Sequence, residues 1–195
     1  MKRLVRIFSL LACAAAALNA AAITITETAT GNGSLDGTTF TTALITLTFQ
    51  GDTSNVGVAP GFLLLAGTAT VSVAGVGMDT LTGDIVAFTD EATGAGLQDN
   101  STLILDTNST GFSGYTLSTS IGPITGGGQH GVSVTFPTFD AGIGGSFDIT
   151  AISVQNDHQN STFTATVATP EPGSMILLGV GMIGLAALRF RRVRA

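Results

Sequence analysis

The stretch Leu44-Ile45-Thr46-Leu47-Thr48-Phe49 alternates apolar and hydroxyl side chains in its second half. The same period of two recurs in residues 23–26, 71–73, 132–136 and 163–167. β-Branched residues in such alternation are typical of strands with one face on a core and the other in water. The pattern therefore predicts an all-β protein.

Short apolar runs between turn residues extend this prediction. Further strands are expected at residues 62–65, 84–88, 102–105, 115–119 and 147–154. Breakers rich in glycine are expected between strands, at residues 51–52, 60–61, 75–77, 94–96, 126–128 and 142–145. About nine or ten short strands with this spacing favour a single antiparallel β-sandwich, of jelly-roll or immunoglobulin-like type. We assign this domain to residues 23–168.

Charge is distributed unevenly along the chain. All seven Lys and Arg residues lie within residues 2–6 and 189–194, whereas all thirteen Asp and Glu residues lie between Glu27 and Glu171. Phosphate contacts need Lys or Arg, so the body is not expected to bind nucleic acid. The same absence excludes lysine Schiff bases, arginine clamps and P-loop chemistry from the body.

The N-terminal segment has the three parts of a secretory signal. Its basic first six residues precede an apolar run over residues 7–18, and Ala20-Ala21-Ala22 supplies small residues for cleavage. We predict a signal peptide over residues 1–22, passed through the secretion translocon and removed by signal peptidase. The alternatives are an uncleaved anchor and lipidation at Cys13. Cleavage would remove the single cysteine, and with it any disulfide or thiol catalysis.

The C-terminal segment, residues 169–195, also has three parts. Pro170-Glu171-Pro172 precedes apolar residues 175–188, and a cationic tail follows with Arg189, Arg191, Arg192 and Arg194. Fourteen helical residues rise about 21 Å, so a marginal transmembrane helix is predicted, with the arginines on the cytoplasmic side. Residues 179–184 match G-x-G-x-x-G but lack the strand before and the acid after it, so no dinucleotide cofactor is expected.

These three parts in order resemble the PEP-CTERM sorting signal of Gram-negative bacteria. The resemblance implies that an inner-membrane exosortase recognises Pro170-Glu171-Pro172, cleaves near it and passes the body to the cell surface or extracellular matrix. A plain C-terminal membrane anchor is the alternative. Pieces of the body also resemble short exported proteins that carry this signal and have, as a class, no assigned enzymatic activity; these pieces are Phe40-Thr41-Thr42-Ala43-Leu44, Gly51-Asp52-Thr53-Ser54-Asn55-Val56, Ile121-Gly122-Pro123-Ile124 and Ser161-Thr162-Phe163-Thr164-Ala165.

The body offers few residues for catalysis or metal binding. His130 and His158 are its only histidines, and zinc needs a set of three or four ligands. Carboxylate pairs remain, since such pairs serve glycoside hydrolysis or bind Ca²⁺ together with carbonyl oxygens. The pairs that the sequence offers are Asp84 with Asp90-Glu91, and Asp99 with Asp106. We predict no catalytic, cofactor or metal site and keep Ca²⁺ as an alternative.

The sequence thus predicts a non-enzymatic protein that is anchored transiently at the inner membrane and then exported. Its expected role is structural or adhesive in a biofilm or floc, with exopolysaccharide as a candidate partner. The first alternative is a carbohydrate-binding module, with or without Ca²⁺, in which Tyr115 and phenylalanines supply the stacking surface. The second is an exported glycoside hydrolase built on one of the acid pairs.

Overall fold

The computed structural model describes residues 21–99, 102–129, 139–141, 145–152 and 161–168, together with Gly179. Outside these residues lie nearly all of the predicted signal peptide, the motif Pro170-Glu171-Pro172 and the arginines of the predicted cationic tail. The predicted transmembrane helix also lies outside them, apart from Gly179. Within the described part, no helix has the length and apolarity needed to cross a membrane. The strands belong to one compact unit, Ala22–Val167.

Twelve strands are present in the described part, and all paired strands are antiparallel. Two single-turn 3-10 helices, Thr53–Asn55 and Thr110–Phe112, lie between them. The strands are β1 (Ala22–Leu35), β2 (Thr38–Asp52), β3 (Gly57–Ala59), β4 (Phe62–Val73), β5 (Gly77–Thr82), β6 (Ile85–Thr89), β7 (Gly94–Asp99), β8 (Thr102–Asn108), β9 (Ile121–Gln129), β10 (Phe139–Ala141), β11 (Gly145–Ile152) and β12 (Ser161–Val167).

The all-β prediction is confirmed, but the predicted sandwich is wrong because eight strands close into a barrel. Their order is β4-β2-β1-β12-β9-β8-β7-β6, and β6 pairs back with β4. Closure depends on strands that change partners along their length. In β4, residues 63–66 pair with β6, whereas residues 67–73 pair with β2. Such bending strands join what would be two separate sheets and leave no open edge between them.

Gly67 lies where β4 changes partners. A Cβ atom at this position would collide with the ring of Phe49 and with the carbonyl oxygen of Gln50 on β2. Only glycine therefore lets the two backbones approach this closely, as is common where a strand bends. The apolar and hydroxyl alternation is the same in a sandwich and in a barrel, so the sequence pattern could not reveal the closure.

The long strands β1 and β2 also belong to a second, smaller ring that contains β4, β5, β10 and β11. The first half of β1 pairs with β12, and residues 31–35 pair with β11. The register between β1 and β2 shifts between Gly31 and Gly33, where Asn32 Oδ1 accepts a 2.7 Å hydrogen bond from the backbone N–H of Thr42. Thr42 has a φ of 51°, so this side-chain bond supports a left-handed residue at the bulge.

Several sequence predictions fail locally. The strand predicted at 115–119 is absent, because that segment makes bends after a 3-10 turn and Leu117 has a φ of 58°. The breakers predicted at 94–96 and 126–128 lie within β7 and β9. A Cβ atom on Gly96 would meet the backbone of Leu105 and Asp106, so this glycine permits close strand approach. The strand predicted at 132–136 lies outside the described residues.

The inward positions of the strands form one hydrophobic core. Each fully buried aliphatic or aromatic side chain contributes about 1.5–3 kcal/mol relative to an exposed one. The largest fully buried side chains are Phe49, Phe112, Phe163, Ile23, Ile25, Leu35, Ile45, Leu47, Leu65, Leu97 and Ile104.

Candidate functional site

Threonines cover the outer face of the sheet made by β12, β1, β2, β4 and β5. In β1 the side chains of Ile23 and Ile25 are buried in the core, so the alternating residues Thr24, Thr26 and Thr28 face outward. The neighbouring strands repeat this arrangement, because residues paired across an antiparallel ladder lie on the same face. We call this surface the threonine face.

One row of the threonine face crosses five adjacent strands with one threonine on each. Neighbouring threonines in the row are direct register partners, so their spacing is that of adjacent strands, about 4.8 Å. From β12 to β5 the row consists of Thr164, Thr26, Thr48, Thr70 and Thr80.

Two further rows flank the first, each displaced by two residues along the strands, which is about 6.7 Å. The Oγ1 atoms of Thr125 and Thr162 lie 3.5 Å apart, so these two side chains share the face. One flanking row contains Thr125, Thr162, Thr28, Thr46 and Ser72 and ends on β5 at the exposed Met78. The other contains Thr166, Thr24, Gln50 and Thr68. The hydroxyls therefore form a two-dimensional lattice.

None of the side chains in the three rows is charged, and all are at least partly exposed. Apart from the contact between Thr125 and Thr162, their hydroxyls have no hydrogen-bond partner among the described residues. Each hydroxyl offers one donor and two acceptor lone pairs. The face can therefore make many hydrogen bonds to an external partner without presenting a charge.

An acid lies on the opposite, inward side of the same strand. Glu27 follows Ile23 and Ile25 in the inward alternation of β1 and is 0% exposed. The Thr107 hydroxyl on β8 donates a 2.8 Å hydrogen bond to Glu27 Oε1, whereas Glu27 Oε2 is buried without a partner in the described part. Burial raises the pKa of Glu27 well above 4.5, and the nearby charge of Asp106 adds to this, outweighing the opposing hydrogen bond from Thr107.

An aromatic cluster lies beside Glu27. Phe163 is the register partner of Glu27 on β12, and its ring packs edge-on against Phe112 at 5.2 Å and Tyr115 at 6.0 Å between centroids. Tyr115 is only 3% exposed, its hydroxyl has no partner in the described part, and burial raises its pKa. Tyr115 is therefore a core residue, so the alternative in which this side chain supplies a stacking surface for sugars is wrong.

The predicted carboxylate pairs are not brought together. Asp84 precedes β6 and Asp90 follows it, so about 20 Å of strand separates them. Glu91 adjoins Asp90 on the same loop. Asp99 is the register partner of Thr102, whereas Asp106 pairs with Gly96, three residues further along β7.

No group of three or more His, Cys, Asp or Glu side chains in the described part is placed to hold a metal ion. His130 and His158 lie outside the described residues. The prediction of no metal site, with Ca²⁺ as its alternative, stays a prediction.

Asp90 organises the loop between β6 and β7. Its Oδ1 accepts backbone hydrogen bonds from Ala92, Thr93 and Gly94 at 2.7–2.9 Å, and its Oδ2 accepts one from the Thr93 hydroxyl at 3.0 Å. Partial burial raises the pKa of Asp90, but these hydrogen bonds to the charged form outweigh it and hold the pKa below 3.8. Asp90 therefore stabilises a turn, as Asp commonly does.

Neither Glu27 nor the threonine face was predicted from the sequence. Glu27 was recognisable only by continuing the alternation of residues 23–26 for one more position, which places a carboxyl among inward residues. The threonine face required the strand order, because Thr26, Thr48 and Thr164 are adjacent only when their strands pair.

Comparison with known proteins gives one match. A family model for the PEP-CTERM protein-sorting motif matches residues 168–192, which include Pro170-Glu171-Pro172 and the arginines up to Arg192. The resemblance stated for the C-terminal segment is thereby confirmed, and the chain carries a sorting motif that implies exosortase-targeted export with a membrane-anchored step. No curated protein and no solved structure matches the chain.

Proposed function

The protein carries a PEP-CTERM sorting motif, and we propose that an exosortase cleaves it near Pro170-Glu171-Pro172. The released body is then delivered to the cell surface or extracellular matrix. The observation that carries the proposal is the family match over residues 168–192. Release at this point would leave the cationic tail at the inner membrane and free an anionic body.

The strand arrangement supports cleavage at both ends. Ile23 on β1 is the register partner of Val167 on β12, and the compact unit spans Ala22–Val167. A cut near Pro172 would fall beyond β12, and a cut after Ala22 would remove only the first residue of β1, which is the register partner of Asp52 on β2. Removal of both end segments would therefore cost the barrel none of the hydrogen bonds between β1 and β12.

We further propose that the body has a non-enzymatic, structural or adhesive role in the matrix. The predicted acid pairs of a hydrolase lie apart, because Asp84 and Asp90 flank the two ends of β6, and Asp99 and Asp106 lie at different levels of β7 and β8. Tyr115 is buried, so it offers no ring to a carbohydrate. The large uncharged threonine face, in contrast, suits contact with an extended external surface.

Mass spectrometry of the exported protein tests the processing step. We expect an N-terminus near Ile23 and no peptide beyond roughly Pro172. The double variant Pro170→Ala/Glu171→Ala should keep its C-terminal segment as far as Ala195 and stay in the membrane fraction. Glu91→Ala, which removes an exposed acid elsewhere, should be processed normally. A mature exported form that still ends at Ala195, or wild-type protein confined to the cytosol, would contradict the proposal.

A deletion strain tests the role of the body. Loss of aggregation or of surface attachment in that strain, restored by the wild-type chain, is the expected result. Turnover of a glycoside panel by the purified protein, abolished by Asp84→Asn or Asp99→Asn, would instead establish a hydrolase.

A further inference from the structure

We propose that the threonine face binds an ordered, uncharged polysaccharide. The biological setting rests on the proposed export to the matrix, but the binding itself is a property of the folded body. The observation that carries the inference is the lattice of hydroxyls on five paired strands, with its complete row Thr164, Thr26, Thr48, Thr70 and Thr80.

The repeat of the lattice favours a partner that is itself periodic. Its hydroxyls recur about every 4.8 Å across the strands and about every 6.7 Å along them. Polysaccharide chains packed side by side in a fibre likewise present hydroxyls and C–H groups in two directions. Threonine matches both kinds of group, because its hydroxyl hydrogen-bonds and its methyl makes apolar contact.

Charge narrows the partner to a neutral polymer. The body contains acids but no Lys or Arg, so an anionic polysaccharide is repelled by the protein as a whole. The three rows contain no acid that would favour a cationic partner, because Asp52, two residues beyond Gln50 on β2, lies outside them. A neutral partner is neither repelled by the acids of the body nor attracted to acids outside the rows. Because the rows carry no charge, binding such a partner also requires no charged group to be desolvated.

Rigidity makes many weak contacts sufficient. A single hydroxyl hydrogen bond contributes little net affinity, because water competes for both groups. The threonines stand on paired strands, and a β-branched side chain has few rotamers to lose. The chains of a packed polysaccharide are also already ordered. Binding them therefore avoids most of the entropy cost that ordering a flexible soluble chain would incur.

Depletion from solution by insoluble particles tests the inference. The full-length chain, purified in detergent, is mixed with microcrystalline cellulose as the neutral ordered probe, and bound protein is measured after sedimentation. We expect saturable depletion. The triple variant Thr26→Val/Thr48→Val/Thr70→Val should bind at least about tenfold more weakly, since each hydroxyl hydrogen bond is worth roughly two- to tenfold.

A matched triple variant, Thr39→Val/Thr41→Val/Thr119→Val, removes three exposed hydroxyls outside the rows and should bind as the wild type does. Circular dichroism melts of both variants establish that they are folded. If valine causes aggregation, Thr48→Glu replaces it, because a longer charged side chain at the centre of the rows should abolish depletion while keeping the protein soluble.

Several results would overturn the inference. These are no depletion of the wild-type chain, equal weakening by both triple variants, and binding to an anionic gel such as alginate in place of cellulose. Dimerisation or ice shaping that depends on Thr48 in the absence of cellulose binding would assign the face to a second copy or to ice. Failure of export, seen by mass spectrometry, would overturn the proposed function and leave the depletion result unchanged, so the two failures are distinguishable.

Discussion

Replacement of Glu27 by glutamine should change how the stability of the barrel depends on pH. Glutamine has nearly the same shape and keeps an oxygen that can accept the Thr107 hydroxyl, but it does not titrate. In the wild type the carboxyl is 0% exposed, and its Oε2 has no partner in the described part. Charging this group in the core is costly, so the folded protein retains the proton to a higher pH than the unfolded chain does.

The sign and size of the effect follow from proton linkage. The pKa of Glu27 is raised by burial from 4.5 in the folded state, so between 4.5 and that raised value the folded protein holds a proton that the unfolded chain has released. The contribution of Glu27 to stability is therefore complete below pH 4.5 and falls as pH rises. Between 4.5 and the raised pKa, stability falls with a slope that approaches about 1.4 kcal/mol per pH unit once the unfolded chain has lost its proton.

Urea unfolding followed by circular dichroism at pH 4.5 and 6.5 measures this loss. We expect the difference in unfolding free energy between Glu27→Gln and the wild type to shift in favour of the variant at the higher pH, by up to about 1.4 kcal/mol for each pH unit below the raised pKa of Glu27. Any constant effect of the amide cancels in this comparison. Glu91→Gln, which alters an exposed carboxyl, is the control and should follow the wild type. An equal difference at both pH values would mean that Glu27 is ionised in the folded barrel, which would refute the reasoning.

Three further changes test local contacts. Gly96→Ala places a Cβ against the backbone of Leu105 and should lower the unfolding free energy by at least about 2 kcal/mol. The control Gly77→Ala, which has open space around it, should leave the unfolding free energy unchanged. Equal melting temperatures of the two variants would contradict the close strand approach. Tyr115→Phe removes a buried hydroxyl without a partner and should raise the unfolding free energy by up to about 1 kcal/mol, and a clear loss in urea unfolding would show that the hydroxyl is satisfied. Asp90→Asn should lower the unfolding free energy by about 1 kcal/mol at pH 7 and by less at pH 3. The reason is that the pKa of Asp90 is lowered in the folded protein, so the stability that the carboxylate contributes is lost as pH falls below 3.8. An equal loss at both pH values would contradict this.

The period-two pattern predicts the strands well where one face is buried and the other is covered with threonine. Four predicted segments lie in strands, and each strand is longer than the segment that predicted it; the segments are residues 23–26, 44–49, 71–73 and 163–167. The pattern is local, so it could not show that β6 pairs back with β4 to close the barrel. It also treated strand glycines as breakers, because glycine looks the same in a turn and at a close approach between strands.

Turn chemistry offered information that the alternation did not. Asp36-Gly37 connects β1 and β2 with both residues at positive φ, which is the arrangement that an Asp-Gly pair favours in a two-residue hairpin. Reading this pair as a hairpin would have aligned Leu35 with Thr38 and extended both strands. Further along, the bulge at Asn32 shifts the register, so the pairing of Thr26 with Thr48 still required the structure.

The choice of threonine for the outer face follows from the unusual charge distribution of the body. A sheet face must stay soluble, and proteins often achieve this with Lys and Glu, but residues 7–188 contain no Lys or Arg to balance added acids. Valine would keep the strand propensity and leave a wide apolar surface, which is an aggregation hazard. Threonine keeps the β-branched shape and replaces one methyl by a hydroxyl, so the face is hydrated without charge. The same substitution that keeps the protein soluble thus creates the hydrogen-bonding lattice. Solubility alone would be satisfied by scattered serines and asparagines, without the aligned row from Thr164 to Thr80.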